Sequence, residues 1–292
     1  MSIAAAITKA RPNLSASSVK TYTSILSSLY KKVFGTEEPD LHKFNDSKTI
    51  LAHLKDKPAA RRKTVLSALV VLTGNDAYKV QMGHDVATFN QDNQKQEMNE
   101  KQRASDISPE QVRAVFDHLE AQAAAIYKKK HFTVSDLLQI QDYVLLALLG
   151  GFYIAPRRSM DYTAFKLKNI DKEKDNYLEK NTLVFNAYKT AGTYGTQEVE
   201  CPKELKAILT KWGKVNPTDF LFFDSAMKQL SSVKITQKLN KVFGGRAISV
   251  NQLRHTYLTG RFAAYTREQK EVAKTMSDMG SSPAVLNQYV KF

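Results

Sequence analysis

Apolar positions recur every three or four residues through most of this chain, the spacing of amphipathic helices. Val19, Tyr22, Ile25, Leu26, Leu29, Tyr30 and Val33 form the first stripe, with Ser15 or Ser17 placed to cap it and Gly35 beyond its end. Ile50, Leu51 and Leu54 share one face of a second unit, and Pro58 punctuates it. Val65, Leu66, Leu69 and Val70 mark a third helix, stopped by Gly74, and a fourth runs from Asp76 to about residue 90. Four helices in under a hundred residues predict a small bundle. Residues 91–108 are then almost wholly polar and read as a linker.

Ser108-Pro109-Glu110-Gln111 opens the next helix with a cap, a proline at the first helical position and an acid in the first turn. Another begins after Ser135 and is apolar on most sides through Leu149, which predicts the central buried helix. Gly150-Gly151 ends it or lets another element approach closely. Alternation then takes over. Residues 165–170, 183–188 and 196–200 read as three strands of an antiparallel sheet, with a glycine-containing turn at residues 189–195. Helices return over 203–212, where Trp212 reads as core, and over 231–243. The next carries Leu253 to Leu258, with Ser249, or Ser249 with Asn251, as cap. A separate penultimate helix spans 268–276, and a last one opens at Ser282-Pro283 and carries Tyr289. The expected class is mainly α with a small antiparallel β-sheet at about 165–200. A helical domain occupies 1–92, a linker 93–108 and a second domain 109–292.

Charge changes this picture. Lys and Arg number 43 against 29 Asp and Glu in 292 residues, a formal charge of +14, which favours a polyanionic partner such as nucleic acid. Lys20, Lys57, Arg61, Arg62 and Lys63 lie on the polar faces of the N-terminal bundle. Arg61 to Lys63 oppose the dipole where they open a helix, a placement that phosphate contact would explain and that a solvated basic face explains equally. A single cysteine, Cys201, excludes an internal disulfide and a zinc cluster, and the six histidines lack ligand spacing. The longest apolar run, 143–155, is too short to span a membrane. No metal or cofactor is called for, and an intracellular compartment is expected.

Two arginines, Arg157 and Arg158, follow the buried helix and Pro156, where the core fixes their position; pairing with Asp161 is the purely structural reading. Lys189 stands at the turn between strands. Arg254 lies on the first turns of its helix, where guanidinium and helix dipole converge on one anion. Tyr289 offers a phenol nucleophile, although its spacing from Val285 and Leu286 equally suits a core aromatic.

In combination these residues resemble the tyrosine recombinase/integrase family over most of the chain. Residues 155–161, Ala-Pro-Arg-Arg-Ser-Met-Asp, correspond to the segment around that family's first arginine, with Arg157 or Arg158 as the match. Asn251-Gln252-Leu253-Arg254-His255-Thr256 is similar to its His-x-Leu-Arg-His-Thr motif, and Met279-Gly280-Ser281-Ser282 to Leu-Gly-His-Ser. The resemblance implies a core-binding bundle and a catalytic domain. It implies catalytic roles for Arg157, Lys189, Asn251, Arg254, Ser281 and nucleophilic Tyr289, and a structural place for His255. Arg158, His255 and Arg246 join the DNA-facing set. Asn251 and Ser281 stand where the family usually has histidines, and asparagine is no general base near neutral pH. The implied activity is cleavage and rejoining of duplex DNA through a 3'-phosphotyrosyl link, by a protein that self-associates as a tetramer on DNA. Relaxation of DNA as in type IB topoisomerases, or DNA binding without catalysis, are the alternatives. A viral or mobile-element origin, in a bacterial cytoplasm, host nucleus or virus factory, accompanies the resemblance.

Overall fold

The computed structural model describes residues 1–36 and 38–290, and of Lys101 the backbone only. Helix takes 63% of the residues and one three-stranded antiparallel sheet is present, so the class is mainly α. The chain divides into two compact units, Met1–Met98 and Asn99–Phe292.

The first unit holds α1 (Ile3–Ala10), α2 (Ala16–Phe34), a 3-10 turn (Leu41–Asn45), α3 (Ser47–Leu54), α4 (Ala59–Thr73) and α5 (Asp76–Lys95). The apolar spacing did not reveal α1. Ser2 caps it, its hydroxyl accepting from Ala5 N at 3.2 Å, and Ile3 and Ile7 go into the core. That core gathers Leu26, Tyr30, Phe44, Ile50, Leu54, Leu66, Leu69 and Tyr78. The Tyr78 hydroxyl donates to the Phe44 carbonyl at 2.7 Å, so the one polar atom of a buried ring is satisfied.

The basic start of α4 has a structural cause at one of its three positions. Arg62 Nε and Nη2 reach the two Asp85 oxygens of α5 at 2.8 and 2.5 Å, and Nη1 donates to the Lys55 carbonyl. Lys63 Nζ lies 3.0 Å from the centre of the Phe89 ring. Arg62 is therefore engaged within the bundle and is not the phosphate-facing group expected of it. Arg61 and Lys20 remain exposed, and Lys57 approaches the His53 ring nitrogen at 3.2 Å.

The second unit opens with α6 (Glu100–Ala104) and α7 (Pro109–Ile126), the latter carrying a full capping box between Ser108 and Gln111. α8 (Val134–Leu149) begins earlier than expected because Thr133 and Asp136 form a second capping box. Lys129 pairs with Asp136 at 2.5 Å, and that hydrogen bond, with those from Thr133, brings its carboxyl down to about 2. α8 is buried on most of its surface and packs against α7 and α11 (Lys203–Val215). Trp212 of α11 is core: Nε1–H donates to the Leu221 carbonyl at 2.8 Å, and the ring stacks on Phe223.

Between these helices lie α9 (Ser159–Thr163), β1 (Tyr177–Glu179), β2 (Thr182–Phe185), the single helical turn α10 (Ala191–Tyr194) and β3 (Gln197–Glu200). The sheet order is β1-β2-β3, with Tyr177 opposite Val184 and Phe185 opposite Gln197. The first strand is not at 165–170. That segment alternates because Phe165 is buried between neighbours that are less so, but its backbone bonds go to two places, Lys166 N to the Asn176 carbonyl and Leu167 N to the Asp219 carbonyl, each at 2.7 Å. Asn169 then turns with φ +50°.

After α12 (Ser232–Val242) comes the largest departure. One unbroken helix, α13 (Val250–Asp278), replaces the two helices expected, and a 3-10 turn (Pro283–Val285) and α14 (Leu286–Tyr289) follow it. Gly260 does not interrupt it: a glycine costs a helix only about 1 kcal/mol. A Cβ there would stand 3.1 Å from Pro109 Cγ at the start of α7.

Asp85 supplies a test of the bundle. Hydrogen bonds from Arg62, the largest influence, hold its carboxyl below the usual range against the opposing effect of burial. Its contribution is therefore complete above the ordinary carboxylate value of about 4 and is lost as pH falls through the lower folded value. Asp85→Asn should cost about 2 kcal/mol in urea denaturation at pH 7, with the difference closing below pH 4. Equal stabilities at pH 7 would contradict the pairing.

Candidate functional site

Asp161 is the centre of the site. Its side chain is buried on α9, next to Tyr162, which is wholly buried against Phe185 and donates to the Leu148 carbonyl. Asn176 fixes the backbone here. Its amide donates to the carbonyls of Asp161 at 2.6 Å and Ala187 at 2.8 Å, while its oxygen accepts from the N–H groups of Asn186 and Ala187. A single buried side chain with its bonds satisfied thus ties α9 to the end of β2.

Arg157 closes over this carboxylate. Nε donates to Asp161 Oδ2 at 2.8 Å and Nη2 to Gln197 Oε1 of β3 at 3.0 Å. The guanidinium carbon lies 4.0 Å from the Phe185 ring centre and 5.3 Å from that of Tyr188. Two aromatic faces, a carboxylate and an amide hold one arginine in one orientation. Asp161 Oδ1 is buried with no hydrogen-bond partner among the described residues. Burial pushes the Asp161 carboxyl up, opposed by the positive charges of Arg157, Arg158 and Arg254.

Arg157 touches this carboxyl, and Arg158 and Arg254 act on it through their charge alone. Arg254 arrives from α13, capped by Ser249, whose hydroxyl accepts from Gln252 N at 3.2 Å. α13 comes this close because Gly151, at φ +78°, lacks a side chain. A Cβ there would stand 2.4 Å from the Tyr257 ring. Thr256 and Gly260 secure the same face, Thr256 Oγ1 donating to the Ile107 carbonyl at 2.9 Å. Arg158 and Arg254 are half-buried, and their guanidinium groups make no hydrogen bond or ion pair among the described residues. Three guanidinium charges against one carboxylate leave a local excess of two, presented by groups whose forks suit oxyanions.

Lys189 is exposed on the segment after β2, one residue beyond the Tyr188 ring that packs on Arg157. Asn251 and His255 are exposed on the first turns of α13, so His255 has no packing role there, contrary to the structural place expected for it. Arg246 is engaged with the Asp106 carbonyl through Nη2. Tyr289 is exposed and not a core aromatic. Its hydroxyl lies 3.5 Å from Ser281 Oγ, while Ser281 N donates to the Met276 carbonyl near the far end of α13. From Arg254 to Met276 the helix rises about 33 Å at about 1.5 Å per residue. One chain therefore does not bring Tyr289 and Ser281 to the arginines.

Asn176, Gln197 and the aromatic pair Phe185 and Tyr188 were not legible as parts of the site, since a polar residue ending a strand and an alternating apolar run are ordinary sheet features. Among the described residues no group of three His, Cys, Asp or Glu side chains is placed to hold a metal, and no helix is long and apolar enough to cross a membrane. No family model matches the chain, and no curated protein matches it.

The arginines separate by experiment. Arg157→Ala strands a buried carboxylate and should lower stability by about 3 kcal/mol. Arg254→Ala removes no partnered group and should stay within about 0.5 kcal/mol of wild type. Urea denaturation of both variants checks this, and equal losses would contradict the division of roles.

Proposed function

We propose that this protein binds duplex DNA and that its second unit, Asn99–Phe292, is a strand transferase of the tyrosine recombinase type. The reading is supported above all by the two unpartnered guanidinium groups, Arg158 and Arg254, beside the clamped pair of Arg157 and Asp161. A phosphodiester carries one negative charge and its displacement transition state more, and a fixed surplus of positive charge in a half-buried site favours the second over the first.

In the proposed reaction the Tyr289 phenol attacks phosphorus in line. The bond from phosphorus to the 5' oxygen breaks as the bond to the tyrosine oxygen forms, leaving a 3'-phosphotyrosyl ester. Lys189 supplies a proton to the departing 5' oxygen. The phenol proton leaves to solvent, since neither Asn251 nor Ser281 is a base; both are hydrogen-bonding groups for the phosphate. Rejoining is the reverse attack by a 5' hydroxyl, so one phosphate ester replaces another without an external energy source. Arg61 and Lys20, exposed on the first unit, are proposed phosphate contacts along the duplex.

The distance of Tyr289 from the arginines, with asparagine and serine at the two histidine positions, favours a second reading, a DNA-binding protein without strand transfer. One experiment decides between them. Nicked suicide duplexes from the chain's own genetic neighbourhood should yield an adduct resistant to SDS that maps to Tyr289. Tyr289→Phe should abolish the adduct and retain duplex affinity within about twofold. Salt-sensitive binding with no adduct from wild type supports the second reading, and an adduct retained by Tyr289→Phe contradicts the assignment of the nucleophile.

A further inference from the structure

We infer that the turn between β2 and β3 holds a base-recognition site, in which the Tyr194 ring stacks on an unpaired or easily unstacked base beside the phosphate that the arginines receive. This rests on the DNA-binding part of the proposed function and needs no strand transfer. Its own ground is the way the turn is built onto Arg157. Tyr188, where the turn begins, sets its ring centre 5.3 Å from the Arg157 guanidinium carbon. Gln197, where the turn ends, accepts from Arg157 Nη2 at 3.0 Å. Two side-chain bonds then close the turn on itself. The Tyr188 hydroxyl donates to the Gly195 carbonyl and Thr196 Oγ1 donates to Asn186 Oδ1, each at 2.7 Å. α10 fills the space between, with Gly195 N donating to the Ala191 carbonyl at 2.8 Å.

Tyr194 stands on this braced frame with its ring in solvent. It is 67% exposed, and among the described residues no aromatic ring is more so. A ring left in water forgoes burial worth about 25 cal/mol per Å². Its neighbours do not screen it: a Cβ at Gly192 or Gly195 would meet no atom within 4 Å. The surrounding charge favours a polyanion, since residues 180–197 include Lys180 and Lys189 and no acid. Tyr194 lies three residues before Gln197, so its backbone is within about 10 Å of the residue that touches Arg157. One nucleotide can therefore set its phosphate on the arginines and its base on the ring. A paired duplex shows only base edges in its grooves. An aromatic face gains from a base only once that base has left the stack. Every base has such a face, so the preference is for an unstacked position, or for a flexible pyrimidine–purine step, and not for one base.

The test uses the full-length chain and two duplexes, one fully paired and one with a single unpaired fluorescent purine analogue. Affinity is read by anisotropy, and stacking by quenching of the analogue. Wild type should bind the second duplex about tenfold more tightly than the first and quench its analogue. Tyr194→Ala should bring the ratio of the two affinities close to one and abolish the quenching, while Tyr194→Phe, which keeps the ring, should hold the ratio within about twofold of wild type. Equal wild-type affinities overturn the inference, as does a Tyr194→Ala variant that weakens on both duplexes alike. A Tyr194→Ala variant that passes from dimer to monomer in sedimentation with its ratio unchanged also overturns it, and assigns the ring to a second copy. The predicted ratio and quenching without any phosphotyrosyl adduct support the inference on the DNA-binding reading alone. No binding to either duplex overturns the proposed function and the inference with it.

Discussion

The candidate site depends on one costly act, the burial of the Asp161 carboxylate. A charge taken out of water must be repaid locally, and here the nearest repayment is the Arg157 guanidinium at 2.8 Å. The rest of the neighbourhood follows from holding that pair. Asn176 fixes the Asp161 backbone to the end of β2, Gln197 of β3 accepts from the guanidinium Nη2, and the rings of Phe185 and Tyr188 lie beside the guanidinium. Arg157 is thereby held in one orientation. The burial that raises the Asp161 carboxyl is opposed by all three arginines, so the carboxylate and the cation cluster sustain each other.

α13 supplies the second constraint. Its first half is pinned by close approach, with Tyr257 over Gly151 and Gly260 against Pro109, and Arg254 on that stretch acts on Asp161 through its charge. Its far end carries Ser281 and Tyr289 away from that pair. The same helix thus builds one half of the proposed reaction centre and removes the other, and the exposed stripe at Leu258, Phe262 and Tyr265 lies between them.

What was legible in the sequence divides along physical lines. Helices with strong local signals were placed well: the Ser108 cap, the apolar α8 and the Ser249 cap all rest on interactions within a few residues. Gly150-Gly151 was legible as a place of close approach, though not what approaches. Misplacements came where distant contacts decide. Residues 165–170 alternate like a strand yet bond to two separate segments, and two helices were expected where one, Val250–Asp278, runs unbroken. Arg62 looked like a phosphate ligand until Asp85, on another helix, claimed it. The arginines of the site could be named from their motifs, but Asn176, Gln197 and the aromatic pair that orient them have no local signature.

The most direct test of the account is the salt dependence of duplex affinity in wild type and Arg254→Ala. The logarithm of the association constant falls with the logarithm of salt by about 0.9 per phosphate neutralised. If the cluster around Asp161 receives a DNA phosphate, Arg254→Ala should weaken binding and reduce the slope by about 0.9. A variant with the wild-type slope and affinity would contradict the claim that this cluster is where the protein meets DNA.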